Sequence, residues 1–362
     1  MSTILSITTD RKEGGIATAL VSYSRALGMR GHHHILLLPS GAVARASLSS
    51  LPNVTLVTLS PAMIRFHLLT GGMFHNSVRA AINRADTLFI HNAGLATLSR
   101  RCGKTVCLIS HSGKLRHIDT ADHAIFLSRA AAGRARELAE EGKCGTARLH
   151  IIPHGFSTCE PLPPTDSTDG RIRVMAAGRF VPKKGFETLL EAARILKEQG
   201  SGTRIDLYGD GPLKPVLVDM INRFGLDNVT LHGWAPTLDR AFAEADIFCL
   251  PSLEEPFGLV IGEAMGRGLP VVATCTDGPL DVLGPRGTGR DQTLPSGGIL
   301  TDPGDAAGLA EAIDSLATSH ALRATTGKAA RKRIVTDFGM DSLADRLDAL
   351  IVTASRPPEA AR

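Results

Sequence analysis

Residues 3–39 read TILSITTDRKEGGIATALVSYSRALGMRGHHHILLLP, and this stretch decides the fold. Ile4 to Thr8 is a β-like run that Gly14-Gly15 breaks. From Ala17 to Met29, the apolar residues Leu20, Val21, Ala26 and Leu27 recur at helical spacing, and Gly31 ends the helix. Ile35-Leu36-Leu37-Leu38 follows as a short strand, apolar at every position. A continuously apolar strand directly after a helix is the mark of a parallel sheet covered on both faces. The run His32-His33-His34 reads as a polar strand start, with metal binding as the alternative.

The same alternation continues outward. Val54 to Val57, Thr87 to Ile90, Val106 to Ile109, His123 to Phe126 and Leu149 to Ile152 all read as buried strands, with helical stretches between several of them. Pro161 to Gly170 is rich in Pro, Ser, Thr and Asp, lacks periodicity, and reads as a linker. A second βα series then begins. Its strands are Ile172–Ala176, Ile205–Tyr208, Val229–Leu231, Ile247–Leu250 and Val271–Ala273, with an amphipathic helix over Phe186–Gln199. Helices are expected over Ala306–Ala317, Ala321–Phe338 and Met340–Thr353, followed by a frayed tail, Arg356–Arg362. A chain of 362 residues is comfortable as two domains. The expected fold class is therefore α/β, with two Rossmann-like doubly wound domains.

Composition excludes several function classes. The chain is 43% hydrophobic, 21% charged and 4% aromatic, as in ordinary globular proteins. So few aromatics argue against a nucleic-acid-stacking role. None of the six cysteines forms a C-x-x-C pair, so neither a zinc knuckle nor a redox motif is expected. The chain opens on a strand-like segment and has no apolar run of about 20 residues, so the expected compartment is the cytoplasm. Net charge is only +4, but it is uneven. Between Pro61 and Ile118 stand Arg65, Arg79, Arg84, Arg100, Arg101, Lys104, Lys114 and Arg116, opposed only by Asp86. This is either a solvated basic face or a surface for anionic lipid head groups or phosphorylated acceptors.

Two segments carry the strongest chemistry. In PSLEEPFGLVIGEAM, residues 251–265, Pro256 and Gly258 mark a loop turning into a helix. Its first turn offers unpaired N–H groups and a positive dipole end, which suit a diphosphate. Glu255 is expected at the helix mouth and Glu263 about two turns further in, where the pair can bond hydroxyls at both ends of a sugar nucleotide. The alternative is an acidic helix cap with Glu263 in solvent. In AGRFVPKKGF, residues 177–186, Arg179 and Lys184 directly follow the first strand of the second series. Cations at a strand's carboxyl end point into the crevice where doubly wound sheets bind ligands. Arg179 can chelate a phosphate bidentately, and Lys184 adds a point charge; a surface loop with snorkelling side chains is the alternative.

Weaker signals follow other strands. Gly14-Gly15 allows close approach of backbone to a ligand. It is not G-x-G-x-x-G, and no acid closes the next strand, which disfavours a nicotinamide dinucleotide. Gly209-Asp210-Gly211-Pro212 reads as a tight turn. Trp234 is placed near a nucleobase, or alternatively in packing. His91 and His111 each end a strand of the first domain, where they face the ligand end of the sheet or are satisfied core histidines. No D-x-D pair appears, so no metal ligand set is expected.

Together these segments resemble the retaining family 4 glycosyltransferases of the GT-B fold, also called glycosyltransferase group 1. The resemblance runs in the family's order over nearly the whole chain. It includes Gly14-Gly15, Ile151-Ile152-Pro153-His154-Gly155, Gly178-Arg179, Lys184-Gly185, Gly209-Asp210-Gly211-Pro212, Glu255-Pro256-Phe257-Gly258, Glu263-Ala264-Met265 and Gly268-Leu269-Pro270-Val271-Val272-Ala273. It implies an acceptor-binding domain over residues 1–160, a nucleotide-sugar-binding domain over 161–338, and a terminal helix within 339–362 packing back on the first domain, with the donor in a cleft that the domains face. It also implies roles: Glu255 on hydroxyls of the transferred sugar, Glu263 on the ribose, and Arg179 with Lys184 on the leaving diphosphate. Gly209, Trp234, Phe257, Gly258 and Leu259 would line the donor, with Gly258 and Leu259 offering amides. Gly14 and Gly15 would close on it, and His111 would approach the donor sugar or acceptor. Where the family pattern has Asn before the glycine at the domain junction, this chain has His154. After the His111-type histidine, where Gly or Asp is frequent, it has Ser112.

The resemblance implies metal-independent hexosyl transfer from a nucleoside diphosphate sugar, a UDP-sugar, with no cofactor and with configuration retained. Residues 276–283, TDGPLDVL, look like the version in bacterial lipopolysaccharide and surface-polysaccharide transferases, which implies a lipid-linked or saccharide acceptor at the inner membrane face. The apolar residues of Met63–Leu69 beside the basic stretch suit peripheral docking. The rival readings are a non-catalytic sugar-nucleotide-binding scaffold and a sugar-nucleotide epimerase of the same fold.

Overall fold

The computed structural model describes residues 1–12, 14–113, 115–142, 145, 147–157, 170–284, 293–294 and 297–354. Most of the expected linker and the tail from Arg356 lie outside the described residues, as do Glu13, Lys114, Cys144 and Cys159. Two compact units form: Met1–Gly155 with Gly339–Arg362, and Phe156–Phe338.

The first unit is built on a parallel sheet of seven strands: β1 (Thr3–Ile7), β2 (His33–Pro39), β3 (Val54–Leu59), β4 (Thr87–Ile90), β5 (Thr105–Ser110), β6 (His123–Phe126) and β7 (Arg148–Ile151). Their order is β3-β2-β1-β4-β5-β6-β7. Chain direction across the sheet therefore reverses beside β1, and the crevice at such a switch point is where open α/β sheets take ligands. The strands read apolar at nearly every position because both faces are covered: Leu5, Ile7, Leu88 and Ile90 pack on one side, and Ile4, Phe89, Cys107 and Ile125 on the other.

The second unit repeats the design with β8 (Arg173–Ala177), β9 (Arg204–Tyr208), β10 (Val229–Gly233), β11 (Ile247–Leu250), β12 (Val271–Thr274), β13 (Thr293–Leu294) and β14 (Gly298–Thr301). The order is β10-β9-β8-β11-β12-β14-β13, and only β13 runs antiparallel. Its switch point lies between β8 and β11, which pair through Ile247↔Val174 and Phe248↔Met175.

Helix Met340–Ala354 packs on helix Gly15–Met29 of the first unit. Its buried residues Leu343, Leu347, Leu350 and Ile351 join Tyr23, Ala26 and Leu27 in one apolar cluster. Polar contacts fix the register of that seam: Arg30 Nη2 lies 2.6 Å from Asp345 Oδ1, and His32 Nε2 lies 2.8 Å from Asp348 Oδ1. The two sequence-distant ends of the unit are thus held mainly by burial.

β2 starts two residues earlier than its apolar run, because His34 is a core residue. Burial pushes its imidazole down to about 3, and that of His154 likewise to about 3, so both are neutral at pH 7. The unfolded chain takes up a proton at each near pH 6.5, while the folded chain does not until far lower pH. Their contribution to stability is therefore complete above pH 6.5 and is lost as pH falls below it.

Two outcomes follow. Leu347→Ala should destabilise by about 2–5 kcal/mol in urea unfolding followed by far-UV circular dichroism, while Val352→Ala, 49% exposed on the same helix, leaves the midpoint nearly unchanged. Wild type at pH 5 should unfold at lower urea than at pH 7.5, each of His34 and His154 adding up to about 1.4 kcal/mol per pH unit; equal midpoints would contradict the assignment of neutral core histidines.

Candidate functional site

In the second unit, the loops after β8 and β11 are sewn together. Gly185 sits in the left-handed region at φ 63°, and a side-chain carbon there would lie 2.0 Å from the Pro251 carbonyl oxygen. The backbone N–H groups of Leu253 and Glu254 donate to the Lys183 carbonyl at 2.8 and 3.1 Å. This stitching delivers Lys184 Nζ onto Glu255 Oε2 as an ion pair. Ser252 Oγ donates to the same carboxylate oxygen at 3.3 Å, and the Glu255 carbonyl accepts from Gly278 N–H at 2.9 Å. Glu255 is only 7% exposed. A carboxylate so deeply buried requires such partners, since an unpaired one costs several kcal/mol.

Gly258, at φ 82°, forms the cap of helix Leu259–Gly266. The helix begins only there, so Glu263 lies about one turn in, not the two expected from a start near Pro256. Nor is Glu255 an acidic cap, since the first turn holds no acid. Burial pushes the Glu263 carboxyl above its usual range, Arg267 pulls it down and Asp239 adds to the rise. Arg267 donates to the Glu263 carbonyl at 3.1 Å and pairs with Asp239. Leu259 is half-buried at the first helical position. Phe257 is buried, its ring stacked 6.1 Å from Phe156 and tilted 6.3 Å from Phe338, so its side chain serves packing while its backbone leads into the cap.

Arg179 is exposed, and its guanidinium has no ion-pair partner among the described residues. The loop behind it is held by Gly209 and Gly211: added side-chain carbons would lie 1.9 Å from the Gly178 carbonyl oxygen and 2.4 Å from that of Phe180. These glycines therefore do more than turn the chain; they let one strand-end loop lie against the other. Trp234 is 59% exposed, which rules out a core packing role. Beside it in sequence, His232 stacks on Tyr208 at 4.4 Å and meets Asp206 Oδ1 at 2.6 Å.

The first unit carries a different chemistry at its switch point. Gly14, exposed at φ 149°, precedes the open end of helix Gly15–Met29, which has no side-chain cap and no acid in its first turn. Asn92 Oδ1 accepts from Thr9 N–H at 2.7 Å and from Thr8 Oγ1 at 2.8 Å, anchoring the start of the loop that leads to Gly14. His111, partly exposed after β5, bonds through Nε2 to His91 Nδ1 at 2.9 Å and stacks on His154 at 6.0 Å. His91 Nε2 reaches Ser6 Oγ at 3.2 Å, and Ser6 Oγ reaches His34 Nε2 at 2.7 Å. Burial holds His91 well below its usual value and brings His111 to about 4. His91 is thus the satisfied core histidine, and it is tied directly to His111. Ser6, Ser24, His34 and Ser252 escaped sequence reading: each is an isolated small or polar residue whose partners come from distant strands.

Among the described residues no group of three or more His, Cys, Asp or Glu side chains could hold a metal ion. His32, His33 and His34 instead face three separate partners: Asp348, Thr55, and Ser6 with Ser24.

Comparison with known proteins bears on the family and the fold. Residues 163–333 match the family described as glycosyl transferases group 1. The lipopolysaccharide core biosynthesis glycosyltransferases LpsE and LpsD of Rhizobium meliloti strain 1021 are similar to this chain. LpsE is 33% identical over 51% of this chain and 50% of its own length. LpsD is 31% identical over 65% of this chain and 64% of its own. The chain thus spans between half and two thirds of these relatives. Among solved structures, a glycosyltransferase from Rickettsia africae ESF-5 superposes with a TM-score of 0.78 at 17% identity, covering 98% of both chains. Anabaena Alr3699/HepE, solved in complex with UDP-glucose, superposes at 0.77 and 20% identity, over 98% of this chain and 100% of that one. Residues 163–333 thus match the glycosyl transferases group 1 family, and the chain has the GT-B fold of the glycosyltransferase structures on which it superposes.

Proposed function

We propose that this chain transfers a hexosyl unit from a UDP-sugar to a hydroxyl of a lipid-linked or lipopolysaccharide-type saccharide, retaining anomeric configuration and using no metal. The observation that carries the reading is the Lys184–Glu255 pair at the β8/β11 switch point, beside the Gly258-capped helix. The names of the two Rhizobium relatives support the acceptor class, and the UDP-glucose complex of HepE supports the donor class.

In this reading Arg179 and Lys184 stabilise the departing diphosphate, with the N–H groups of Gly258 and Leu259 adding the helix-end field. Glu255, held rigidly by Lys184 and Ser252, binds hydroxyls of the transferred sugar. Glu263 binds the ribose, and Trp234 stands on the nucleobase side. Gly14, Gly15 and His111 of the first unit contact donor or acceptor. The bond from the anomeric carbon to the diphosphate breaks as the acceptor oxygen bonds to the same face. The acceptor proton passes to the leaving diphosphate. Positioned cations do the work that a divalent ion performs in metal-dependent transferases.

A second surface extends the reading to the acceptor's location. On and after helix Pro61–Leu69, Met63, Phe66, Leu69, Met73 and Phe74 are all exposed, Phe74 by 69%. Phe66 and Phe74 stack on one another at 5.9 Å. Arg65, Arg79, Arg84, Arg100 and Arg101 are exposed in the same part of the chain. Exposed aromatic and apolar side chains among arginines suit the interface of an anionic membrane. No helix among the described residues is long and apolar enough to cross one.

A thermal-shift series without metal tests the donor site. UDP or a UDP-sugar should raise the melting temperature, with the rise lost in Arg179→Ala. Glu255→Gln should lower transfer by about 100-fold or more, and added EDTA should change nothing. Silence toward every nucleotide would move the weight to the scaffold reading, and donor consumption without acceptor would favour the epimerase. For the membrane surface, the protein should sediment with phosphatidylglycerol vesicles at low salt, and a Phe66→Ser/Phe74→Ser double variant should stay in the supernatant. Failure of wild type to sediment would remove the docking proposal.

A further inference from the structure

The hydrogen-bond chain behind His111 has a direction, and one bond sets it. Ser24 Oγ lies 2.8 Å from the Leu20 carbonyl oxygen. A carbonyl can only accept, so the single Ser24 hydroxyl hydrogen points there. Ser24 Oγ also lies 2.7 Å from His34 Nδ1. Having spent its hydrogen, Ser24 must accept, so His34 carries its hydrogen on Nδ1. Burial keeps His34 neutral, so its Nε2 is a bare acceptor. Ser6 Oγ, 2.7 Å away, then donates to it. With that hydrogen spent, Ser6 accepts from His91 Nε2 at 3.2 Å. His91 is neutral by burial as well, so its Nδ1 accepts from His111 Nε2 at 2.9 Å. His111, neutral at pH 7, therefore holds its hydrogen on Nε2 and leaves Nδ1 unprotonated.

We propose that this relay, Leu20–Ser24–His34–Ser6–His91, sets His111 in the tautomer whose bare Nδ1 accepts a hydrogen bond from a hydroxyl of the bound saccharide. His91, Ser6, His34 and Ser24 are positioning residues; only His111 would touch the ligand. Nδ1 of His111 is shielded from solvent and has no hydrogen-bond partner among the described residues. In the opposite tautomer that place would hold an unbonded N–H, and buried orphan donors are rarer and costlier than orphan acceptors. A hydroxyl that reaches a shielded lone pair meets little competition from water, which strengthens the bond. The saccharide half of the inference rests on the transferase reading above; the tautomer half does not.

The test acts at a distance. Ser24 lies on the opposite end of the relay and bonds neither His91 nor His111. In Ser24→Ala, His34 loses its acceptor at Nδ1 and is free to carry its hydrogen on Nε2. Every later bond can then reverse, which moves the His111 hydrogen to Nδ1. Long-range ¹H–¹⁵N spectra of protein labelled with ¹⁵N-histidine distinguish protonated from bare ring nitrogens, and the His111 signals are assigned by their loss in His111→Gln. Wild type at pH 7.5 should show a bare Nδ1 and a protonated Nε2 at His111. Ser24→Ala should reverse or mix that pattern, and Ser24→Thr, which keeps the hydroxyl, should restore it. A protonated Nδ1 in wild type, or a pattern indifferent to Ser24→Ala, would overturn the relay. In the transfer assay Ser24→Ala should lower kcat about tenfold, one lost hydrogen bond's worth, with Ser24→Thr near wild type. A reversed tautomer with unchanged kcat would overturn the role given to Nδ1. A wild-type pattern as expected in a protein without transfer activity would instead sink the transferase reading and leave the relay standing.

Discussion

The buried carboxylate of Glu255 is the constraint around which the second unit is organised. At 7% exposure a carboxylate needs a close partner, and Lys184 is the cation that meets it. Bringing that cation in requires the loop after β8 to lie against the loop after β11, which in turn demands glycine at 185, where backbone passes within contact of Pro251. The β8 loop needs a floor, and the loop after β9 supplies it only because Gly209 and Gly211 have no side chains to intrude on Gly178 and Phe180. Three strand ends are thereby locked into one rigid platform by a single charge and the glycines that let it be approached. A charge pair is seldom a net source of stability when buried, so the platform is better explained as a cost accepted for geometry.

Reading the architecture from sequence worked where physics is local or periodic. Strands of a parallel sheet are apolar throughout, so β4, β6 and β11 could be read residue by residue, and helix Ala306–Thr318 follows its apolar period closely. Boundaries moved where an unusual residue joined an element. β2 begins at His33 because His34 is neutral and fully bonded inside the core, a state that no hydrophobicity scale assigns to histidine. Helix Leu259–Gly266 begins late because Gly258 takes a left-handed conformation, so Glu263 is one turn from the cap. Trp234, which large apolar area would send to the interior, is exposed.

The candidate site was legible in part for the same reason. Arg179, Lys184, Glu255 and Glu263 lie at ends of strands or starts of helices, where sequence position alone predicts proximity to a crevice. Their pairing was not legible: nothing in the spacing of residues 184 and 255 says that the Lys184 ammonium would rest on the Glu255 carboxylate. Ser252 was invisible too, because a serine three residues before a glutamate has meaning only once the chain folds back on itself. The histidine relay is the extreme case. Its members come from β1, β2, helix Gly15–Met29 and the ends of β4 and β5, and only the sheet order β2-β1-β4-β5 makes them neighbours.

The two units thus solve one problem with opposite chemistry. Both place polar groups at the carboxyl ends of the strands beside a switch point. In the second unit those groups are ions, the paired Lys184 and Glu255 with an exposed Arg179 beside them. In the first they are neutral imidazoles and hydroxyls, kept uncharged by burial and ordered by hydrogen bonds alone. Charges act over several ångströms and tolerate small displacements, whereas a neutral hydrogen bond weakens steeply with angle and distance. A network ordered by neutral bonds alone needs a firm support, and the seam of helix Met340–Ala354 on helix Gly15–Met29 lies directly behind Tyr23, whose ring centroid is 6.1 Å from that of His91 and 6.4 Å from that of His154. The packing of the terminal helix and the aim of His111 are, on this argument, one structural requirement.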